Sequence, residues 1–262
     1  MPRCRATYFA HRAKAQGGQR HAELDAAILA SFTQAKGRYG HRRIHRELRA
    51  AGRTVAKKTV LHRMRALGLC CQVRRKKRVV GGWGTQGSTA PNRLNRCFRA
   101  SAPNQKWVTD VTEFRIGPET LYLSPIMDLC DRQIIAYTMG RSPNLGLAVT
   151  ALRTALATLG PDDHPLVHSD QGLLYRHRTW QELLATVGAT QSMSRRGNCL
   201  DNAVMESFFG HLKSELAVHQ FATITDLEHG IADYLHWYNQ ERTSATLNGL
   251  SPVQYRAQLT LG

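Results

Sequence analysis

Long apolar runs are missing from these 262 residues. No stretch approaches the roughly 18–20 apolar residues of a membrane span. The basic N-terminus is not followed by the apolar core of a secretory leader. Cysteine is sparse, and Cys4, Cys70, Cys71, Cys97, Cys130 and Cys199 show no paired spacing. A disulfide scaffold is therefore excluded, and a reducing cytoplasm is the expected compartment. His41 and His45 stand four apart, but a zinc centre with two cysteines wants them about two residues apart, and Cys70 and Cys71 are adjacent. There is no Gly-rich phosphate loop ending in Lys-Ser/Thr and no nucleophile elbow, so P-loop and covalent serine chemistry find no support.

The most telling scarcity is of acids in the front of the chain. Residues 1–100 hold only Glu23, Asp25 and Glu47 against 24 of the 36 Lys and Arg, a net of +21. Residues 101–262 carry 12 basic residues against 16 acids, a net of −4. The whole has a formal charge of +17 and a pI near 10.2, which points to a polyanion as partner. A membrane surface would call for a basic amphipathic helix with a bulky apolar face. The front half instead has short helices, Arg-rich throughout, so nucleic acid is the expected partner.

Residues 1–18 are basic and end in Gly17-Gly18, an expected loose arm. Over 19–36, Leu24, Ile28 and Phe32 recur at four and predict a helix. Gly37-Arg-Tyr-Gly40 breaks it. A second helix is predicted over 41–50, with Ile44 and Leu48 inward and Arg42, Arg43, Arg46 and Arg49 outward. Thr54 is placed to cap a third, running to about Leu67, with Val60, Leu61, Met64 and Leu67 as its buried stripe and Gly68 as its stop. Three such helices make a helix-turn-helix domain over 19–70. Lys57, Lys58, His62 and Arg63 are then expected outward, where a recognition helix meets DNA. Arg74, Arg75, Lys76, Lys77 and Arg78 follow, five adjacent cations for solvent or phosphate. They open an expected basic, flexible linker over 71–105.

From 106 the pattern changes. Residues 106–116 and 120–129 are predicted as antiparallel strands around Gly117-Pro118, and 132–139 as a third. Helices are expected over 144–159, 179–187, 202–216 and 225–239, with short strands at 166–169 and 189–193. Asp201 is expected to cap the 202–216 helix. Strands followed by alternating helix and strand make an α/β domain, a mixed sheet with flanking helices in an RNase H-like layout, over 106–262 with a C-terminal helical extension.

Three acids in this half carry the chemical expectation. Asp110 lies inside an apolar strand, where a lone carboxylate is costly to bury. Asp170 ends a short apolar strand just before Gln171-Gly172, with His168 two residues earlier on the same face. Glu206 sits about 200° around its helix from a stripe of Val204, Phe208 and Leu212, and shares a face with Gly210 and Lys213. Asp128 and Asp131 look like a turn pair. If the fold brings Asp110, Asp170 and Glu206 together, they form an oxygen-only set suited to Mg²⁺ or Mn²⁺. Two such ions can clamp the attacking and leaving oxygens of a phosphodiester.

The words around these acids carry a resemblance. Trp107-Val-Thr-Asp-Val-Thr, His168-Ser-Asp-Gln-Gly, Ser192-Met-Ser-Arg-Arg-Gly-Asn198 and Asp201-Asn-Ala-Val-Met-Glu-Ser-Phe-Phe-Gly-His-Leu-Lys213 resemble the retroviral-integrase-like core of bacterial insertion-sequence transposases, and most nearly the OrfB product of the insertion-sequence-three family. Tyr39-Gly-His-Arg-Arg-Ile-His45 resembles the helix-turn-helix block preceding that core. Tyr238-Asn-Gln-Glu-Arg242 with Leu250-Ser-Pro252 resembles its C-terminal block. The resemblance implies a DDE polynucleotidyl transferase whose metal ligands are Asp110, Asp170 and Glu206, binding two Mg²⁺ or Mn²⁺ ions. It implies nicking at insertion-sequence ends and attack of the freed 3′-OH on a second phosphodiester. Lys213 matches a basic residue associated with the transposon end, and Arg195 and Arg196 are further DNA-contact candidates. It also implies double-stranded DNA as substrate, an OrfA partner or fusion, self-association, and a place in the bacterial cytoplasm at the nucleoid. One departure is Ser244, where many relatives carry histidine; a catalytically inactive DNA-binding regulator is the alternative it raises. An RNase H-like nuclease without transfer activity fits the basic front half less well.

Overall fold

The structure, a computed structural model, describes residues 21–71 and 89–261. The expected arm and the basic run Arg74–Arg78 lie outside the described residues. The chain divides into two compact units with the boundary between Val73 and Arg74.

In the front unit, α1 covers 21–34, α2 is His41–Ala50 and α3 is Lys57–Ala66. The α1 turn closes on Gly37, whose φ of +73° suits a residue without Cβ and whose N–H donates to the Phe32 carbonyl. Ile28 and Ile44 are fully buried, with Leu48, Val60 and Met64 around them. The predicted α3 stripe is therefore narrower than expected, since Leu61 is half-buried and Leu67 is 37% exposed. Thr54 does not cap α3. The cap position is Ala56, two residues later, with no side-chain bond. Arg63 is not on the outward face either: its guanidinium forks onto Asp25 of α1, Nε donating at 2.7 Å to Oδ1 and Nη2 to Oδ2. A cation within reach of a partly buried carboxylate lowers its energy more by pairing than by facing water. His45 is buried, with Nε2 3.0 Å from the Val55 carbonyl oxygen, which occupies it structurally.

The second unit is built on one six-stranded sheet in the order β2-β3-β1-β5-β6, with β4 paired to β3. The strands are β1 Lys106–Thr109, β2 Thr112–Ile116, β3 Glu119–Asp128, β4 Ile134–Gly140, β5 Leu166–Ser169 and β6 Thr190–Met193. β2, β3 and β4 are antiparallel neighbours, whereas β1, β5 and β6 run parallel. The expected continuous strand over 106–116 is broken at Asp110 and Val111, so β1 and β2 pair separately with β3. The helices are α4 Leu145–Leu156, α5 Leu173–Arg176, α6 Arg178–Thr186, α7 Ala203–Glu215, α8 Ile224–Gln240 and α9 Pro252–Leu261. The short α5 and α9 are additions to the predicted pattern.

Ala148, Ala151, Leu152 and Ala155 recur at three and four along α4 and press onto Trp107, Ile126 and Val167 of the sheet. Small residues let α4 lie close to the strands, while Trp180 of α6 fills the remaining volume at 1% exposure. On the C-terminal side, Phe208 of α7 meets Tyr238 of α8 edge-on at 5.1 Å. Asn239 grips β4 by accepting from the Ile134 N–H at 3.0 Å and donating to its carbonyl at 2.9 Å. Arg242 is buried and forks onto Glu215 of α7 at 2.8 and 2.9 Å, and the Tyr234 hydroxyl donates to the same carboxylate. The block around Tyr238 to Arg242 thus ties α7, α8 and β4 together.

Two expectations change here. Residues 89–105 are not a flexible linker: Leu94 is 1% exposed, and the N–H groups of Arg93 and Leu94 both donate to Ser192 Oγ on β6. Asp128 and Asp131 are more than a turn pair. Both are fully buried, and Arg256 of α9 reaches them, Nη2 2.9 Å from Asp128 and Nε on Asp131. Among the described residues no helix is long and apolar enough to cross a membrane.

Candidate active site

β1 and β5 are adjacent and parallel, with Val108 opposite His168. Extending that register by two places Asp110 level with Asp170, each just past the C-terminal end of its strand. Two acids 60 positions apart in the chain meet at one sheet edge, because parallel neighbours need a crossover and then end on the same side. Such strand ends are where open α/β sheets place ligands. α7 brings Glu206 to the same end: Asn202, just before α7, donates from Nδ2 to the carbonyl of Thr109 at 3.2 Å.

Local bonds aim the acids. Asp110 accepts from the Val111 N–H at 2.8 Å, and Asp170 accepts from the Gly172 N–H at 2.8 Å. Gly172 is required by this approach, since a Cβ there would lie 2.8 Å from Asp170 Oδ1. Gln171 Nε2 donates to the Ser194 carbonyl at 3.0 Å and staples the loops that follow β5 and β6.

Electrostatics separate these acids from ordinary surface carboxylates. Burial pushes the Asp110 carboxyl up to about 8, and the charges of Asp170 and Glu206 push the same way, against the Val111 N–H and the Lys213 ammonium. Asp170 is raised too, through desolvation against the sheet end, with the Gly172 N–H opposing. Lys213, exposed on α7, holds its ammonium 5.2 Å from the centre of the Phe114 ring. Among the described residues no group of three His, Cys, Asp or Glu side chains is placed to hold a metal ion. Asp110 nevertheless senses the charges of Asp170 and Glu206, and their oxygen-only donors fit a hard divalent cation, which would relieve that repulsion.

His168 is not a site residue. It is fully buried, with Nδ1 2.8 Å from Ser192 Oγ and Nε2 3.1 Å from Ser194 Oγ, and burial lowers its pKa to about 4. The buried face of α7 is Met205, Phe208, Phe209 and Leu212 rather than a stripe through Val204. Asp201 is not the helix cap. Its carboxylate is fully buried and accepts from the Arg195 N–H, from the Arg195 and Arg96 guanidinium groups, and from Asn92 Nδ2, all at 2.9–3.0 Å. That engagement holds its pKa well below the usual carboxylate range, with the Arg195 bond the largest cause.

The candidate DNA contacts divide accordingly. Arg42, Lys57, Lys58 and His62 are exposed on the front unit, and Arg43 is half-buried with its guanidinium 5.3 Å from the Tyr39 ring. Arg63 is committed to Asp25. In the second unit Arg196 is exposed, while Arg195 is committed to Asp201. The roles of Asp201 and Asn202 escaped sequence reasoning. Asn202 had a usable signal: it is a carboxamide at the start of the helix that carries Glu206, four residues earlier in sequence. Asp201 offered only Arg195, six residues earlier, since its other partners Arg96 and Asn92 lie more than a hundred residues away.

Comparison with known proteins agrees with this architecture. Residues 100–199 and 206–260 match models described as "Integrase core domain", and residues 19–77 match one described as "HTH-like domain". The chain is 41% identical to InsK of insertion sequence element IS150 from Escherichia coli K12, over 97% of this chain and 90% of that protein. It is 36% identical to the transposase InsF of insertion sequence IS3A from the same organism, over 88% of this chain and 81% of that protein. Among solved structures, a chain of the cryo-EM structure of the simian T-cell lymphotropic virus intasome in complex with the PP2A regulatory subunit B56 gamma superposes with a TM-score of 0.53 at 18% identity, covering 88% of this chain and 73% of that one, a likeness of fold. An integrase core behind a helix-turn-helix-like unit, shared at this identity along nearly the whole chain, places the protein in the insertion-sequence-three family of transposases, as an OrfB-type polynucleotidyl transferase.

Proposed function

We propose that Asp110, Asp170 and Glu206 form the catalytic centre of this transposase and hold two Mg²⁺ or Mn²⁺ ions for nicking and strand transfer at insertion-sequence ends. The observation that carries this reading is the convergence of Asp110 and Asp170 at the shared end of the parallel strands β1 and β5, where Asn202 ties in the start of the helix that carries Glu206. When bound, the ions supply Lewis-acid polarisation of the scissile phosphate and lower the pKa of the attacking water. The side chains do the rest. Asp110 and Asp170, pinned by the Val111 and Gly172 N–H groups, present oxygens from rigid strand ends. Glu206 closes the set from α7. In the first step water attacks phosphorus and the bond to the 3′ oxygen breaks, freeing a 3′-OH. In the second, that 3′-OH attacks a phosphodiester of the target, and a new 3′ oxygen leaves. Neither step needs a protein nucleophile.

Lys213, on the same face of α7 as Glu206, is a contact for the DNA end. Arg42, Lys57, Lys58 and His62 of the front unit bind duplex DNA at the terminal repeats, joined by Arg74, Arg75, Lys76, Lys77 and Arg78. A multimer that pairs two ends, an OrfA partner or fusion, and a cytoplasmic location at the nucleoid complete the reading. Incubating the protein with terminal-repeat DNA and Mg²⁺ tests it. Nicked and joined products are expected with Mg²⁺, none with EDTA, and none with Asp110→Asn despite retained DNA binding. Strand transfer by Asp110→Asn would contradict the assignment.

A further inference from the structure

Asn202 is 4% exposed and sits at the joint between the strand that carries Asp110 and the helix that carries Glu206. Its Nδ2 donates to the carbonyl of Thr109, the residue immediately before Asp110. Four residues along, in the first turn of α7, stands Glu206. Its neighbour Asp201 points elsewhere, to Arg195, Arg96 and Asn92, and anchors the same turn to the loop after β6 and to the segment before β1. The two side chains therefore divide the work at the start of α7: Asp201 ties it to its surroundings, and Asn202 ties it to the site. Among the described residues Asn202 Oδ1 has no hydrogen-bond partner, so the donation to Thr109 is the contact that fixes the amide.

We infer that Asn202 is a positioning residue, whose amide bond to the Thr109 carbonyl sets the separation of Asp110 and Glu206. This rests on the assignment of those two acids to the metal centre. It predicts a defect in cation affinity and not in DNA affinity. Residues that orient metal ligands without touching the ion typically change affinity by tenfold or more when removed.

The test uses full-length protein with Mn²⁺ alone as the probe, read by the free-ion electron paramagnetic resonance signal, alongside melting temperature and nicking as a function of Mn²⁺ concentration. Two variants lack the donor: Asn202→Ala, and Asn202→Leu, which keeps the volume and removes the unpartnered oxygen. Both are expected to raise the Mn²⁺ dissociation constant about tenfold. The Mn²⁺ concentration for half-maximal nicking should rise by the same factor, the rate at saturating Mn²⁺ should recover most of its value, and DNA affinity should be unchanged. A folded donor-less variant with wild-type Mn²⁺ affinity overturns the proposal, and so does loss of folding in both variants, which would make Asn202 a residue of the fold only. Asp110→Asn separates the two readings. If that variant binds Mn²⁺ like the wild type, the carboxylate assignment itself fails, whatever Asn202 does.

Discussion

Two groups of carboxylates stand at strand ends of the same sheet, and they are resolved in opposite ways: Asp128 and Asp131 are sealed from solvent, whereas Asp110 is half-buried and Asp170 exposed. At the end of β3, Asp128 and Asp131 are fully buried, yet Arg256 bridges both, and the N–H groups of Asn104 and Cys130 donate to Asp128 at 2.7 and 2.9 Å. Burial raises Asp128, but these donors and the guanidinium pull against it. At the ends of β1 and β5, Asp110 and Asp170 each have one backbone donor, and the nearby charges on Asp110 are mostly negative. A buried acid pair with its own cation is part of the scaffold. A more open set whose neighbours raise its energy is placed to take a cation from outside, which would offset that repulsion.

The sharpest way to break this contrast is a pair of like substitutions. Asp110→Asn is expected to lower strand transfer on the order of 10³-fold while the melting temperature holds or rises, since it removes repulsion. Asp128→Asn is expected to do the reverse, lowering the melting temperature while the folded fraction stays active. Gel assays of joined products beside thermal melts decide it, and matching effects from the two would dissolve the distinction.

Next in size is Arg256→Met. It leaves two buried acids without their cation and should lower unfolding free energy by about 2–3 kcal/mol, discounted because the guanidinium is partly exposed. Denaturant titration measures this, and an unchanged midpoint would mean that the pair is satisfied without Arg256. Cation addition offers a similar magnitude from the other side. At a hundred times its dissociation constant, Mg²⁺ or Mn²⁺ should stabilise the wild type by about 2.7 kcal/mol. EDTA should reverse the gain, and Asp110→Asn should not show it.

Acid sensitivity gives a smaller effect. The folded-state pKa of Asp201 lies below its ordinary 3.8, so its contribution to stability is complete above that value and is lost as pH falls through the folded value. Asp201→Asn should therefore flatten the stability profile below about pH 4 while lowering stability at neutral pH, as seen by melting across pH. The smallest effect belongs to the front unit. Lys57→Ala or Lys58→Ala should each reduce the slope of log affinity against log salt by about 1, and Arg63→Ala should reduce it less, because Arg63 is spent on Asp25. Equal slopes for Lys58→Ala and Arg63→Ala would erase that difference.

Local pattern went far in this chain. The second helix was expected over 41–50 and spans His41–Ala50, because Ile44 and Leu48 repeat at four between glycine breaks. The strand over 166–169 likewise coincides with β5, a short apolar run closed by Asp170 and Gly172. Helix starts were less legible. Thr54 and Asp201 are both good capping residues by type, yet neither caps: Thr54 falls two residues short of the cap position at Ala56, and Asp201 spends its carboxylate on other partners. For Asp201 those partners are two arginines and a carboxamide in a buried turn. The break at Asp110 was also hidden. Residues 106–116 have continuous β-forming character, and only pairing with β5 on one side and β3 on the other parts β1 from β2.

What the sequence determined by itself is whatever depends on neighbours a few positions apart: the basic front unit, the helical stripes, the strand segments, and three acids in matching words. Only the tertiary structure decided which charges are spent and which remain to act. Arg63 belongs to Asp25, Arg195 and Arg96 to Asp201, and Arg256 to Asp128 and Asp131. Most of these partners lie far apart along the chain, and the packing of helices, loops and sheet rather than spacing brings them together. Whether a charge is paired depends on distance and burial in three dimensions, and no periodicity along the chain records either.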